Sequence, residues 1–235
     1  MKRNKHARVI GIIGGVGCGK STVLTCLQKL YQAQLLESDL TARQLMEPGG
    51  SCHEAVVCEW GSGICQPDGR LDRDRLAEIV FADPQQLARL NALVHPLVRR
   101  EIARQVELWR HRWRKEKKTL RVLVLETALP QEAGFGGLCD EIWYVRADRA
   151  VRIRRLMESR HYDEQKCLSM MAAQPPEEVY ASLASAVIDN SGLPEESEAQ
   201  VRLLMSRKGR TGRQGNRFPR QRRRTLEKVR NQKLD

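Results

Sequence analysis

The chain has 235 residues, with 41 Lys+Arg against 29 Asp+Glu, 41% hydrophobic residues, and only 4 Trp, 4 Tyr and 3 Phe. That balance excludes a disordered or fibrous chain and fits one compact domain. No stretch approaches the roughly 18 consecutive apolar residues of a membrane span. The basic start Met1–Lys5 runs into an apolar run too short for a signal peptide, so a cytoplasmic protein is expected.

The net charge of +12 is unevenly spread. Residues 206–235 carry 12 Lys/Arg and 2 acids, which leaves the first 205 residues nearly neutral. Seven cysteines, at 18, 26, 52, 58, 65, 139 and 167, form no C-x-x-C pair and do not read as a disulfide framework. Cys52-His53, Cys58 and Cys65 lack zinc-ligand spacing.

In chain order, Val9–Ile13 is a β-branched run ending in Gly14-Gly15, the pattern of a buried parallel strand entering a tight turn. Ser21–Tyr31 reads as a helix with Val23, Leu24, Leu27 and Leu30 on its apolar face. A second strand is expected over Gln34–Glu37, then about 80 helical and polar residues, far more than a parallel crossover needs. An inserted helical subdomain is therefore expected near 40–118. Its last helix should start after Pro96, with Val98, Ile102, Val106, Trp109 and Trp113 on one face and a solvated basic face opposite. Buried strands follow at Val122–Leu125, Ile142–Val145 and Ala186–Ile188, with arginine-rich helix over Arg149–Gln174. Alternation of this kind implies an α/β fold with a parallel sheet. From 206 onward, glycines and Pro219 break any periodicity, and disorder is expected.

Gly14-Gly15-Val16-Gly17-Cys18-Gly19-Lys20-Ser21, followed by Thr22, fits G-x-x-x-x-G-K-[ST] at every fixed position, between a strand and a helix. Glycines let successive backbone N–H groups curl around an anion, and the helix N-terminus adds partial positive charge. Lys20 would reach the β- and γ-phosphates, and the Ser21 hydroxyl would ligate Mg²⁺. ATP and Mg²⁺ are the ligands this implies, with Gly17, Cys18, Gly19, Lys20, Ser21 and Thr22 as the cradle. A dinucleotide fingerprint is excluded because its third glycine would fall on Lys20. A GTPase is disfavoured because no N-K-x-D follows Asp189-Asn190-Ser191-Gly192.

Phosphoryl transfer also needs a group to orient and deprotonate the acceptor, and cations on the transferring phosphoryl. Asp39, at the carboxyl end of the second strand, is the candidate base, with an N-cap of a helix starting near Leu40 as a compatible role. Arg155 and Arg160 are the candidate cations, in a helical lid near 149–180.

These stations, with Leu71-Asp72-Arg73, His95-Pro96, Gln174 and Val187-Ile188-Asp189-Asn190-Ser191-Gly192, make residues 8–205 resemble the dephospho-CoA kinase family. The resemblance implies a three-layer P-loop NTPase fold with a five-stranded parallel sheet, a helical substrate-domain insertion and a helical lid. It implies transfer of the ATP γ-phosphoryl to the ribose 3′-hydroxyl of dephospho-CoA, giving coenzyme A and ADP. Carried over position by position, Asp39 lies near the acceptor hydroxyl; Arg73, His95 and Glu132 surround the substrate; Arg155 and Arg160 belong to the lid; and Asn190 lies near the adenine.

Four places depart from the family pattern. Asp-Ala-Asp becomes Glu37-Ser38-Asp39, Pro-Leu-Leu-Phe-Glu becomes Ala128-Leu129-Pro130-Gln131-Glu132, a usual lid arginine is replaced near Met170-Met171, and the usual Ala-Asp before the last strand is Ala184-Ser185. Lys20, Ser21 and Asp39 are retained, so an active enzyme is expected. Cys18, beside a helix N-terminus and Lys20, should favour a thiolate whose modification would block ATP, the alternative being an inert small residue in a tight turn. The tail is compatible with an anionic partner, RNA, DNA or lipid, or with a plain solvated segment. Another P-loop nucleoside or nucleotide kinase, or an ATP-dependent nucleic-acid-binding protein, remain the alternative readings. The near-neutral body speaks against the latter.

Overall fold

The computed structural model describes residues 6–115, 117–127 and 137–207. Its centre is a five-stranded sheet in the order β2-β3-β1-β4-β5, formed by β1 (Ala7–Ile13), β2 (Gln34–Glu37), β3 (Arg121–Thr127), β4 (Glu141–Arg146) and β5 (Ala186–Asp189). Every pairing is parallel, with Ile10 opposite Val124 in β3 and Ile12 opposite Trp143 in β4. Strands buried on both faces explain the continuous apolar runs.

One face packs on α1 (Lys20–Tyr31) and the last helix, α9 (Pro194–Ser206). Ile10, Ile12, Val124, Trp143 and Val145 meet Val23, Leu27, Val201 and Leu204 there. The other face presents Val9, Ile13, Leu123, Leu125 and Tyr144 to Ile102, Val106 and Trp109 of α5 (Pro84–Arg112) and to Tyr180 of α8 (Glu177–Leu183). The Tyr144 and Tyr180 rings stack with centroids 5.4 Å apart.

The segment after β2 is helical, as expected: α2 (Ser38–Leu45), α3 (Ser51–Trp60), α4 (Arg73–Ala82) and α5. It has its own apolar centre of Cys52, Val56, Leu71, Leu76, Val80 and Val94. Asp72 caps α4 by accepting from the Arg75 N–H, and Asp83 caps α5 by accepting from the Gln85 N–H. His53 bonds the Gly69 carbonyl through Nε2 at 2.8 Å.

Two boundaries differ from expectation. The helix expected after Pro96 is the second half of one 29-residue helix that runs through that proline. An interior proline forfeits one backbone hydrogen bond and crowds the preceding turn. Here Val94 is anchored in the helical centre and Ile102, Val106 and Trp109 on the sheet, so packing on both sides keeps the helix whole. Accordingly, residues 40–118 are not separate from the sheet: the end of α5 forms one of its covering layers. The second difference is at Asp39, which lies in the first turn of α2, after Glu37 at the N-cap, rather than capping a helix from Leu40.

The arginine-rich stretch is two helices, α6 (Arg149–Arg160) and α7 (Glu164–Ala172), joined where His161 takes φ 54°. No described helix is long and apolar enough to cross a membrane. Residues 128–132, with Glu132 expected on the substrate side, and the tail beyond Arg207, expected to be disordered, lie outside the described residues.

Candidate active site

The turn from β1 into α1 shapes the site. Gly17 and Gly19 take φ 75° and 80°, a region L side chains rarely adopt. A Cβ on Gly17 would lie 2.8 Å from the Arg152 carbonyl oxygen, and one on Gly19 would meet the Asn190 amide. Glycine is thus required at both positions by conformation and by space.

Around this loop, at the carboxyl ends of the parallel strands, a cleft of about 910 Å³ opens. Its walls include Gly15, Gly17, Gly19, Lys20, Ser21, Thr22, Glu37, Asp39, Glu126, Arg155, Arg160, Met170 and Gln174. The sequence-identified loop, base and lid arginines therefore share one cavity, where ligands of open α/β sheets bind.

Lys20 Nζ donates to the Gly14 carbonyl at 3.0 Å and lies 3.3 Å from Glu126 Oε1. Glu126 ends the inner part of β3, in register with Glu37 on β2. Burial pushes its carboxyl above the usual range; Lys20 works against the shift, while Asp39 and Glu37 add to it. The Ser38 hydroxyl donates to the Glu126 carbonyl at 2.9 Å, tying the start of α2 to β3 and placing Asp39 at the cleft wall.

Glu126 is a cleft residue that sequence reading missed, because the apolar run ends at Leu125. The available signal was the first carboxylate after a buried strand, at the ligand-binding edge of the sheet.

Arg155 faces the loop from α6. Its Nη1 is buried without a hydrogen-bond partner, and a Cβ on Gly19 would lie 3.1 Å from it. A buried guanidinium nitrogen left unpaired beside an anion-binding loop is the arrangement a phosphate would satisfy. Arg160 lines the same cleft from the exposed end of α6.

Other expected residues are placed elsewhere. Asn190, 1% exposed, lies beneath the loop: its amide donates to the Cys18 carbonyl at 2.9 Å and the Gly19 carbonyl at 3.3 Å, and its oxygen accepts from the Ser197 hydroxyl at 2.7 Å. Asn190 does not line the cleft and supports the loop from beneath. Arg73 is exposed and 3.5 Å from Glu47, while His95 is half-buried in the middle of α5; neither lines the cleft.

Cys18 corrects an expectation. The thiol is 1% exposed, and burial pushes its pKa up despite Lys20 and Arg152. Desolvation outweighs the nearby positive charge, so the thiol form is favoured over the thiolate.

Comparison with known proteins agrees with this geometry. The family model for dephospho-CoA kinase matches residues 8–196. A dephospho-CoA kinase of Geobacter sulfurreducens is 37% identical over 202 residues, covering 85% of this chain and 98% of the relative. One from Geobacter metallireducens is 39% identical over 197 residues, covering 83% and 94%. Among solved structures, the protein TT1252 of Thermus thermophilus superposes with a TM-score of 0.64 at 32% identity, covering 86% of this chain and 97% of the other. The dephospho-CoA kinase of Campylobacter jejuni, at 16% identity, shares the fold with a TM-score of 0.56.

Proposed function

The chain belongs to the dephospho-CoA kinase family, and from that membership we propose how its own residues carry out the reaction. The activity is ATP-dependent phosphorylation of dephospho-CoA, the final step of coenzyme A synthesis. The observation that carries the assignment of roles is the shared cleft: phosphate loop, Asp39, Glu126 and the unpaired Arg155 Nη1 all border one space.

The triphosphate lies along Gly15–Thr22, held by backbone N–H groups and the start of α1. Lys20 moves from Gly14 and Glu126 to the β- and γ-phosphates, and Arg155 Nη1 and Arg160 bind the transferring phosphoryl from the lid side. The acceptor is the ribose 3′-hydroxyl. Asp39 orients that hydroxyl and accepts its proton as the oxygen attacks phosphorus.

No described group of three His, Cys, Asp or Glu side chains is placed to hold a metal ion by itself, so the Ser21 hydroxyl at the cleft wall would be the protein ligand of an Mg²⁺ carried in with the nucleotide. Bound there, the ion would neutralise charge on the phosphate oxygens. Arg73, His95 and Glu132 are assigned to the substrate side of the helical insertion, on the strength of the family resemblance. The lid is assigned to residues near 149–180, chiefly α6 and α7. Seven free cysteines fit a cytoplasmic setting.

The test is product identity. Incubation with ATP and dephospho-CoA should give a product one phosphate heavier, with phosphorus–proton correlation placing that phosphate on the ribose 3′ carbon. A phosphate at another position would refute the acceptor assignment.

A further inference from the structure

The phosphate loop is gripped at its crest by two lid residues, Arg152 and Gln174, that the reaction scheme does not use. Val16, at its crest, has both backbone groups bonded to side chains. Its N–H donates to Gln174 Oε1 at 2.7 Å, and its carbonyl accepts from Arg152 Nε at 2.8 Å. Arg152 Nη2 lies 3.4 Å from the same Gln174 oxygen, and its Nη1 is 3.9 Å from Glu177 Oε1.

The fit is close. A Cβ on Gly15 would fall 2.5 Å from Arg152 Nη2 and 2.8 Å from Gln174 Oε1. Arg152 is 8% exposed and does not line the cleft, so it is not a phosphate ligand and does not stand in for an arginine at Met170. One helical turn further along α6, however, is Arg155, whose unpaired nitrogen faces Gly19.

We propose that Arg152, acting with Gln174, is a positioning residue for ATP: it clamps the Val16 peptide so that the loop holds its anion-binding shape, and it fixes the turn of α6 that presents Arg155. The clamp joins three lid segments to the loop: α6 through Arg152, the α7–α8 connection through Gln174, and α8 through Glu177. These three lid segments are therefore anchored to the loop at one point. A partly buried charge-assisted hydrogen bond in this place is costly to lose, because the Val16 carbonyl and the rest of the clamp lose their partner. This inference rests on the reading that the triphosphate lies on the loop.

The test uses the full chain with Arg152→Met, Arg152→Lys, Gln174→Leu, the double variant and Lys20→Met, measuring ATP binding by calorimetry and steady-state kinetics in both substrates. Arg152→Met should weaken ATP binding and raise its KM about tenfold, the loss expected for one charged hydrogen bond. The KM for dephospho-CoA should stay within about twofold, a change too small to signal a lost contact. Arg152→Lys should recover part of the ATP affinity, since an ammonium can reach the Val16 carbonyl but cannot fork to Gln174. Gln174→Leu should weaken ATP in the same direction, and the double variant should be no worse than the worse single change, as for two parts of one clamp.

Unchanged ATP affinity in both Arg152→Met and Gln174→Leu overturns the clamp. So does an equal rise in both KM values with no rescue by lysine, which marks general loss of structure. If Arg152→Met fails to fold, Gln174→Leu and Arg152→Lys decide. Lys20→Met separates the two levels: retained ATP affinity there refutes the triphosphate placement, whereas its loss with normal affinity in the clamp variants refutes the clamp alone.

Discussion

Lys20 Nζ and Glu126 Oε1 stand 3.3 Å apart across the base of the cleft, and neither is well exposed. In sequence they are more than a hundred residues apart, and the parallel pairing of β1 with β3 brings them together. The contact holds the Lys20 side chain at the base of the cleft.

A stability prediction follows from the upward shift of the Glu126 carboxyl, whose first cause is burial. A carboxyl raised in the folded state binds more protons there than in the unfolded chain. Its favourable contribution is complete below the ordinary Glu pKa of about 4.3 and is lost as pH rises through the folded value. Glu126→Gln removes that titration. The variant should melt at or above the parent temperature at mildly alkaline pH, with the advantage shrinking as pH falls toward the ordinary carboxylate range. A deficit at alkaline pH that disappears in acid would show that the ion pair with Lys20 outweighs desolvation.

Asn190 ties β5 to the phosphate loop and to Ser197 on α9. Asn190→Ala leaves buried carbonyls and a hydroxyl unsatisfied and should cost about 1–3 kcal/mol. For a domain of this size the melting temperature should drop by about 2–4 °C per kcal/mol. Thermal unfolding checks this, and an unchanged midpoint would contradict the support role.

Cys18 should resist alkylation at neutral pH, since burial keeps its thiol protonated and covered. Exposed Cys58 should label first, and ATP should not alter the labelling of Cys18. Peptide mapping after timed iodoacetamide treatment reads both sites. Rapid modification of Cys18 would reinstate the thiolate reading.

Removing residues 208–235 should leave kinase kinetics unchanged. The cut must not go deeper, because Met205 is buried against the sheet and its carbonyl accepts from Arg8 Nη1 at 3.2 Å. A large fall in turnover after this truncation would show that the basic tail takes part in catalysis.

The sequence made the phosphate loop, all five strands and the helical insertion legible, because each depends on local pattern: glycines at fixed spacing, apolar runs between turns, helical periodicity. It also brought out Asp39, Arg155 and Arg160, which the fold gathers into one cleft. What it hid depends on contacts distant in the chain. Nothing near Arg152 or Gln174 signals Val16, more than 130 residues away, and nothing near Asn190 signals the carbonyls of Cys18 and Gly19. The continuity of α5 through Pro96 was hidden for the same reason, since the packing that holds it comes from strands and helices elsewhere.

The most direct test of the whole account is ADP release by the purified protein with Mg-ATP and, in turn, dephospho-CoA, adenosine, AMP or no acceptor, for the parent and Asp39→Asn. Turnover should occur with dephospho-CoA alone, and Asp39→Asn should lower kcat by about 10²- to 10⁴-fold while ATP binding is kept. Equal turnover with another acceptor, or an Asp39→Asn variant as fast as the parent, would contradict it.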